Sequence, residues 1–174
     1  MALRATVYKV QLEVSDLDRS HFAEYPLTLA LHPSETEERL MVRLLAFAMH
    51  AGVDLQFGKG LSAEDEAAVW EIDPTGEIKL WIDVGQPDES RIKKACGRSG
   101  RVVIYCYTRS AEVWWKQNQS WLEKLDKVQV IQLSVEDSAT LASLAQRNMN
   151  LSCTIQEGTV YLGEQSVQPV VLKA

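Results

Sequence analysis

The chain has 174 residues and a formal net charge of −6 at pH 7; 46% of its residues are hydrophobic and 24% are charged. These values are typical of one globular domain, covering residues 1–174, and the negative charge argues against nonspecific nucleic-acid binding by the whole surface. No apolar run is long enough to span a bilayer and no signal-peptide core is present, so we expect a cytoplasmic protein without membrane attachment.

The first predicted elements are two strands and a long helix. Residues 5–14 alternate between apolar and polar side chains, and residues 25–31 form a second strand, so we expect an antiparallel pair. Ser34 and Glu37 have the spacing of a capping box, with Pro33 just ahead of it. The helix is therefore predicted to begin at Ser34.

This helix combines a wide apolar stripe with acids near its start. The stripe indicates packing against a large surface and consists of Leu40, Met41, Leu44, Leu45, Phe47 and Ala48. Glu35 and Glu37 suit the positive end of the helix dipole, which stabilises each by about 0.3–1 kcal/mol without any function. Glu38 falls on the apolar side, where its carboxylate either meets a polar centre or extends past the edge of the core.

The middle of the chain predicts a hairpin with a buried acid. Residues 55–57 form a short strand, and residues 67–72 and 78–85 pair around a turn at 73–76. In the last of these strands, the side chains alternate between two faces, with Asp83 on the same face as Trp81. Because a buried charge is costly unless it is paired, Asp83 is a candidate functional residue.

A basic helix follows this strand. Pro87 stops the strand, Asp88 has the character of a helix N-cap, and Arg91, Lys93 and Lys94 fall in the first two turns. Acids and bases at the carboxyl end of a strand are typical of α/β binding sites. Lys93 and Lys94 are adjacent, about 100° apart on a helix, so they do not both face the site.

The remainder predicts alternating strands and helices followed by short strands. The segments are a strand at 101–107, parallel to its neighbour, a helix at 110–125, a strand at 128–133, a helix at 138–148 and three strands of a β-meander within 151–172. We therefore predict a mixed α/β (α+β) fold with a central mixed sheet flanked by helices. Strands from the two ends of the chain are expected to form a second, antiparallel sheet.

Charged residues are distributed unevenly along the chain. Residues 64–73 carry the acids Glu64, Asp65, Glu66, Glu71 and Asp73, whereas residues 90–109 carry the bases Arg91, Lys93, Lys94, Arg98, Arg101 and Arg109 and no acid. Carboxylates with lysines nearby suit Mg²⁺ or Mn²⁺ and phosphoryl chemistry. No P-loop, GxGxxG or GxSxG motif offers a different chemistry.

Two other residue types have structural readings. Cys96, Cys106 and Cys153 are odd in number and widely spaced, so we expect reduced, packed thiols rather than disulfides or a zinc site. Trp114 and Trp115 on the helix at 110–125 either stack on nucleic-acid bases or, as is more common for paired tryptophans, pack in the core.

Long segments of the sequence resemble one family. These are ALRATVYK, HPSETEERLM, LQFGKGL, LWIDVGQPDESRIKKA and WWKQNQS, and together they identify the chain as similar to the YaeQ family of bacterial proteins. The resemblance covers essentially the whole chain. It implies a core similar to the PD-(D/E)XK, or restriction-endonuclease-like, nucleases, with extra strands that form a second sheet.

The resemblance also implies which residues would form a nuclease-like site. That superfamily places an acid on its first helix, an acid on its second strand and an acid–x–Lys motif on its third strand. Glu38, with Glu35 as the alternative, matches the first position, Glu66, preceded by Asp65, the second, and Asp83 the third.

Two departures from the pattern bear on catalysis. The motif lysine would stand at position 85, which is Gly85 here, so Lys93 or Lys94 would have to supply the charge, with Gln86 nearby. If the second acid belongs at Ala68, one metal ligand is missing.

These residues support two hypotheses. In the first, Glu38, Glu66 and Asp83 bind Mg²⁺ or Mn²⁺ and Lys93 or Lys94 assists hydrolysis of a phosphodiester. Arg91, Arg98, Arg109 and Gln86 would then contact the nucleic acid. In the second, the fold has lost its chemistry and binds nucleic acid or a protein partner.

Overall fold

The computed structural model describes residues 4–59 and 65–174, so Glu64 of the predicted acidic segment lies outside the described residues. The elements within these ranges are, in chain order, β1 (Thr6–Asp16), β2 (His21–Leu31), α1 (Glu37–Met49), β3 (Leu55–Phe57), β4 (Val69–Ile72), β5 (Ile78–Val84), α2 (Glu89–Arg98), β6 (Val102–Cys106), α3 (Ala111–Leu122), β7 (Val128–Gln132), α4 (Val135–Ser143), β8 (Asn148–Gln156), β9 (Thr159–Leu162), β10 (Gln165–Val167) and β11 (Val170–Lys173).

The strands form two sheets. The six-stranded sheet has the order β11-β7-β6-β5-β4-β3, and the five-stranded sheet has the order β10-β9-β8-β1-β2. β4 and β5 form the predicted antiparallel hairpin, and β5, β6 and β7 are parallel to one another. The predictions for the hairpin and for the parallel strand at 101–107 are therefore confirmed.

Helix α1 lies between the two sheets. Every residue from Leu40 to Ala48 is buried, and α1 shares one core with the inward faces of β1, β2 and β8. Leu80, Ile82 and Val84 of β5 belong to this core. Trp81 of β5 belongs instead to a second core, which β5, β6 and β7 form with α2 and α3. The layers are thus sheet, helix, sheet, helix, and the predicted alternation along β5 is confirmed.

The second sheet differs from the prediction of an antiparallel sheet. β1 pairs with β2 in antiparallel orientation and with β8 in parallel orientation, so the sheet is mixed. The predicted meander accounts only for β8, β9 and β10, whereas β11 crosses to pair with β7 of the other sheet. The connection from β1 to β8 runs through the whole core, and a long connection permits parallel pairing where a tight turn does not.

The helix predicted at 138–148 is shifted and shorter than expected. Helix α4 begins after Ser134, whose side chain accepts a hydrogen bond from the Asp137 amide, and it ends at Ser143. Residues from Asn148 onwards form β8, in which alternate side chains are buried. A helical reading of this boundary was wrong because period-two burial against β1 outweighs local helix preference.

Helix α1 also begins at a different cap. Its N-cap is Thr36, which accepts a hydrogen bond from the Arg39 amide at 3.1 Å, so the predicted capping box of Ser34 and Glu37 is wrong. Glu37 instead accepts a hydrogen bond from the Tyr8 hydroxyl of β1 at 2.9 Å. This contact ties the first turn of α1 to the five-stranded sheet.

One charged side chain is buried within the central helix. Arg43 is 1% exposed, and Glu35, just before the helix, compensates its charge. The Arg43 Nε lies 2.9 Å from Glu35 Oε1, and its Nη2 donates to Glu35 Oε2 at 3.1 Å and to the Ala30 carbonyl at 3.0 Å. Because a buried ion pair is strongly destabilised when one partner is lost, this pair constrains how α1 meets β2.

We expect the substitution Glu35→Gln to lower the free energy of unfolding by about 3–5 kcal/mol, since it leaves the Arg43 charge buried without an anion. Denaturant unfolding followed by circular dichroism measures this loss. The control is Glu37→Gln, at an exposed position whose replacement still accepts from Tyr8 and should cost less than about 1 kcal/mol. Equal losses in the two variants would contradict a compensating role for Glu35.

His50 joins the carboxyl end of α1 to the centre of the six-stranded sheet. It is the C-cap residue of α1, and its Nε2 lies 2.8 Å from the hydroxyl of Tyr105, which is fully buried on β6. Burial lowers the pKa of His50 to about 4 from an ordinary value of 6.5. The folded protein therefore holds the imidazole neutral.

As pH falls below 6.5, the unfolded chain binds a proton at His50 before the folded chain does, so folding stability should decrease until the pH reaches about 4. The expected loss is about 3 kcal/mol. Unfolding free energies of the wild type and His50→Gln measured across this interval test it, because glutamine keeps a polar partner for Tyr105 but does not titrate. Parallel pH profiles for the two proteins would refute the assignment.

Candidate functional site

The candidate site begins with Asp83 at the carboxyl end of β5. Asp83 is 4% exposed and lies on the face of the sheet that α2 covers. Arg91 of α2 binds both of its carboxylate oxygens: Nε donates to Oδ2 at 2.8 Å and Nη2 donates to Oδ1 at 3.0 Å. A two-bond pair of this kind is among the stronger side-chain interactions.

The turn between β5 and α2 positions Arg91. Gly85 has φ +102°, a conformation that glycine adopts without strain, and this turns the chain away from the sheet. Asp88 caps α2 as predicted, accepting the Arg91 amide at 2.8 Å, and the Trp114 indole donates to the Pro87 carbonyl at 3.0 Å. Arg91 therefore faces back onto the end of β5.

The guanidinium of Arg91 also joins the strand to the segment before β4. Its Nη2 donates to the backbone carbonyl of Glu66 at 2.8 Å. The guanidinium carbon lies 5.7 Å from the ring centre of Trp81, and that of Arg98 lies 5.5 Å from the same ring. Trp81, which is 1% exposed, thus interacts with both arginines through cation–π contacts.

Asp65 binds the next two cations along α2. Lys94 Nζ lies 2.5 Å from Asp65 Oδ1, and Arg98 Nη1 donates to the Asp65 carbonyl at 2.9 Å. The hydrogen bond and positive charge of Lys94 lower the pKa of Asp65. The side chains of Lys94, Arg98 and Asp65 remain 46%, 39% and 78% exposed, so solvent reaches this whole group.

The side chains of the remaining predicted site residues have other partners. The Glu66 carboxylate accepts the Lys59 amide at 2.8 Å, and Lys93 pairs with Glu89 on the exposed side of α2 at 2.6 Å. Gln86 donates to the Tyr107 carbonyl and to the Thr108 hydroxyl, which links the carboxyl ends of β5 and β6. Arg109 is exposed.

Glu38 lies on the other side of the six-stranded sheet from Asp83. Its carboxylate is 3.4 Å from the Ser138 hydroxyl of α4, in the layer between the sheets. Glu38 thus contacts α4, whereas Asp83 contacts α2. Residues 4–59 and 65–174 contain no group of three or more His, Cys, Asp or Glu side chains placed to hold a metal ion.

The residues present therefore do not fit a divalent ion coordinated by Glu38, Glu66 and Asp83. Between Asp83 and the Glu66 carbonyl, where a cation would find oxygen donors, the structure has the Arg91 guanidinium. Binding of Mg²⁺ or Mn²⁺ by Asp83 and Glu66 in some other arrangement stays a prediction.

Sequence reasoning missed Trp81 and underestimated Asp65. Trp81 stands two residues before Asp83 and therefore faces α2 with it, as the period-two alternation of a strand predicts. The cation–π contacts, however, depend on how α2 packs, which no local pattern specifies. The other tryptophans follow the more common expectation, since Trp114 and Trp115 pack against the core beneath α3.

The fold and site define a class of protein: a mixed α/β domain with two sheets around a central helix, whose cationic helix is anchored to a buried acid at a strand end. None of the helices in the described parts of the chain is long and apolar enough to cross a membrane. Residues 1–171 match the family model described as YaeQ protein, and the chain belongs to this family.

Relatives and solved structures agree with this assignment. The chain is 46% identical to YaeQ of Escherichia coli strain K12 over 165 residues, covering 94% of this chain and 91% of the relative. The crystal structure of the YaeQ protein from Xanthomonas axonopodis pv. citri has a TM-score of 0.94, 45% identity and coverage of 98% of this chain and 99% of that one. The crystal structure of the YaeQ protein from Pseudomonas syringae has a TM-score of 0.93 and 36% identity, and the match covers 98% of this chain and 97% of that one.

Proposed function

We propose that this protein binds nucleic acid through phosphate contacts along α2 and does not hydrolyse it. The observation that carries the proposal is the pair of Asp83 and Arg91, in which both oxygens of the acid accept from one guanidinium. A carboxylate held in this way is compensated and does not present a free anionic site. The succession α1-β3-β4-β5-α2-β6 supports the resemblance to the core of the PD-(D/E)XK nucleases, whose substrate is nucleic acid.

The cations that would meet the phosphates follow one another along α2. Lys94 and Arg98 stand one turn apart and are partly exposed, and Arg91 lies one turn before Lys94. An exposed ion pair such as that of Lys94 and Asp65 stabilises a protein little, so a phosphate group can replace Asp65 at little cost. Asp65 would then be a competitor for the nucleic-acid site.

We expect Lys94→Ala and Arg98→Ala each to weaken binding of fluorescein-labelled oligonucleotides by about threefold to tenfold and to reduce the salt dependence of affinity by about one unit of slope. Fluorescence anisotropy at two or more salt concentrations, with single- and double-stranded DNA and RNA, measures both. Lys79→Ala is the matched control, because Lys79 is also exposed and ion-paired but lies at the other end of β5.

The variant Asp65→Asn gives this proposal its sharpest test. It removes the competing negative charge but leaves every cation in place, so the affinity for oligonucleotides should increase. If nucleic acid bound elsewhere on the protein, Asp65→Asn would change that affinity only weakly. Cleavage of the same oligonucleotides with Mg²⁺ or Mn²⁺ should be absent. If the wild type bound neither DNA nor RNA, the proposal would be overturned and a protein partner would be the better hypothesis.

A second candidate is metal-dependent hydrolysis of phosphodiesters. It is favoured by one observation, the approach of the Asp83 carboxylate and the Glu66 carbonyl to the same guanidinium, because both are oxygen donors of the kind that Mg²⁺ and Mn²⁺ prefer. Lys93 and Lys94 remain the candidates for the missing motif lysine, and Gln86 for a substrate contact.

Calorimetric titration with Mn²⁺ decides between the candidates. If Arg91 occupies the place of the ion, the wild type should show no saturable binding of Mn²⁺. The variant Arg91→Ala should then bind Mn²⁺ through Asp83. The double variant Arg91→Ala/Asp83→Ala is the control and should not bind it. Saturable binding by the wild type that Asp83→Ala abolishes would instead support the metal-dependent candidate.

A further inference from the structure

The outward face of the five-stranded sheet is exposed and has an ordered pattern. Side chains from β1, β2 and β8 lie in rows across the sheet, because their registers place outward residues side by side. The rows are Val7 and Ala30; Lys9, Thr28 and Asn148; Gln11, Pro26 and Asn150; Glu13, Glu24 and Ser152; and Ser15, Phe22 and Thr154. Phe22 is 61% exposed on this face and Val7 is 44% exposed.

Two like charges stand directly opposite each other on this face. Glu13 of β1 is the register partner of Glu24 of β2, and both side chains are exposed. Neither forms an ion pair with any residue of 4–59 or 65–174. Opposed like charges destabilise a strand pair, so a cation from outside the chain would relieve this repulsion.

The cation that matches them is on the same face. Lys9 lies two rows from Glu13 along β1, with the row of Gln11, Pro26 and Asn150 halfway between them. No ion pair of Lys9 occurs among the described residues either. The face is therefore positive on one side of the Gln11 row and negative on the other.

We infer that this face binds a second copy of the same chain. A two-fold axis along the Gln11 row turns the face over and exchanges the rows on either side of it. It sets Lys9 of each copy against Glu13 of the other, and Thr28 against Glu24. The same operation sets Phe22 against Ala30. An isologous interface needs a self-complementary surface of this kind.

Two further features favour face-to-face contact over pairing of sheet edges. β2 is an edge strand, and Pro26 at its middle lacks the amide that an added strand would require. The rows from Val7 to Ser15 extend about 27 Å along the strands and about 14 Å across three of them, which gives about 800 Å² of total buried area. That area is smaller than that of stable specific interfaces, so we infer a weak dimer that depends on salt.

The experiment is sedimentation equilibrium of the full chain over a wide concentration range at low and high salt. The wild type should pass from a monomer of 19.6 kDa towards twice that mass as concentration rises, and less so at high salt. Lys9→Glu and Glu13→Lys should each raise the Kd of the dimer by at least about tenfold, because each places like charges opposite one another across the axis. The double variant Lys9→Glu/Glu13→Lys should restore it.

Folding and net charge are controlled separately. In Glu13→Lys the new lysine faces Glu24 of the same sheet and replaces a pair of like charges by a pair of opposite charges. This variant should therefore have an unchanged or higher melting temperature while it fails to associate. Lys124→Glu changes the net charge by the same amount as Lys9→Glu, but at an exposed position after α3. It should leave the concentration dependence of the sedimentation mass unchanged. A wild type that stays monomeric, or a double variant that does not recover association, would overturn the inference.

Discussion

The burial of α1 between two sheets is the constraint on which the rest of the structure depends. From Leu40 to Ala48 the helix has no solvent-facing side, so each polar group in this stretch must be compensated within the protein. Arg43 is the one such charge in the buried stretch from Leu40 to Ala48, and Glu35 compensates it just outside the helix. The Arg43 guanidinium also donates to the Ala30 carbonyl of β2, so it constrains how β2 packs against α1.

This layering also separates the two groups of acids. One face of β5 packs on α1 and the other on α2, so an acid on α1 and an acid on the α2 side of β5 belong to different layers. Glu38 therefore meets α4, and Asp83 meets α2. Where the family resemblance implies a cation held by acids, this chain has an arginine from its own helix. Lys94 and Arg98 remain partly exposed on the same helix, which agrees with the proposal of binding without hydrolysis.

Local patterns predicted most of the core elements, and the physical reason is that each had a signal within a few residues. The cap at Asp88, the hairpin before β5 and the alternation that turns Asp83 towards α2 are all of this kind. The parallel pairing of β8 with β1 and the passage of β11 to the other sheet depend on packing between distant segments, and no local signal specifies them. The partnership of Asp83 with Arg91 was missed for the same reason. Both residues were singled out, but their contact depends on the angle at which α2 returns over the sheet.

The parallel pair of β1 and β8 has a consequence for how the chain folds. Residue 9 meets residue 148, so this ladder closes a loop that contains nearly the whole core. Closing so large a loop is entropically costly until the intervening segments have condensed, and folds rich in such distant contacts fold slowly. During synthesis, the β1–β2 hairpin emerges before β8, and until β8 pairs with it some of its inward apolar side chains stay uncovered. Transient protection of that hairpin, by a chaperone or by early docking of α1, would determine the yield of native protein.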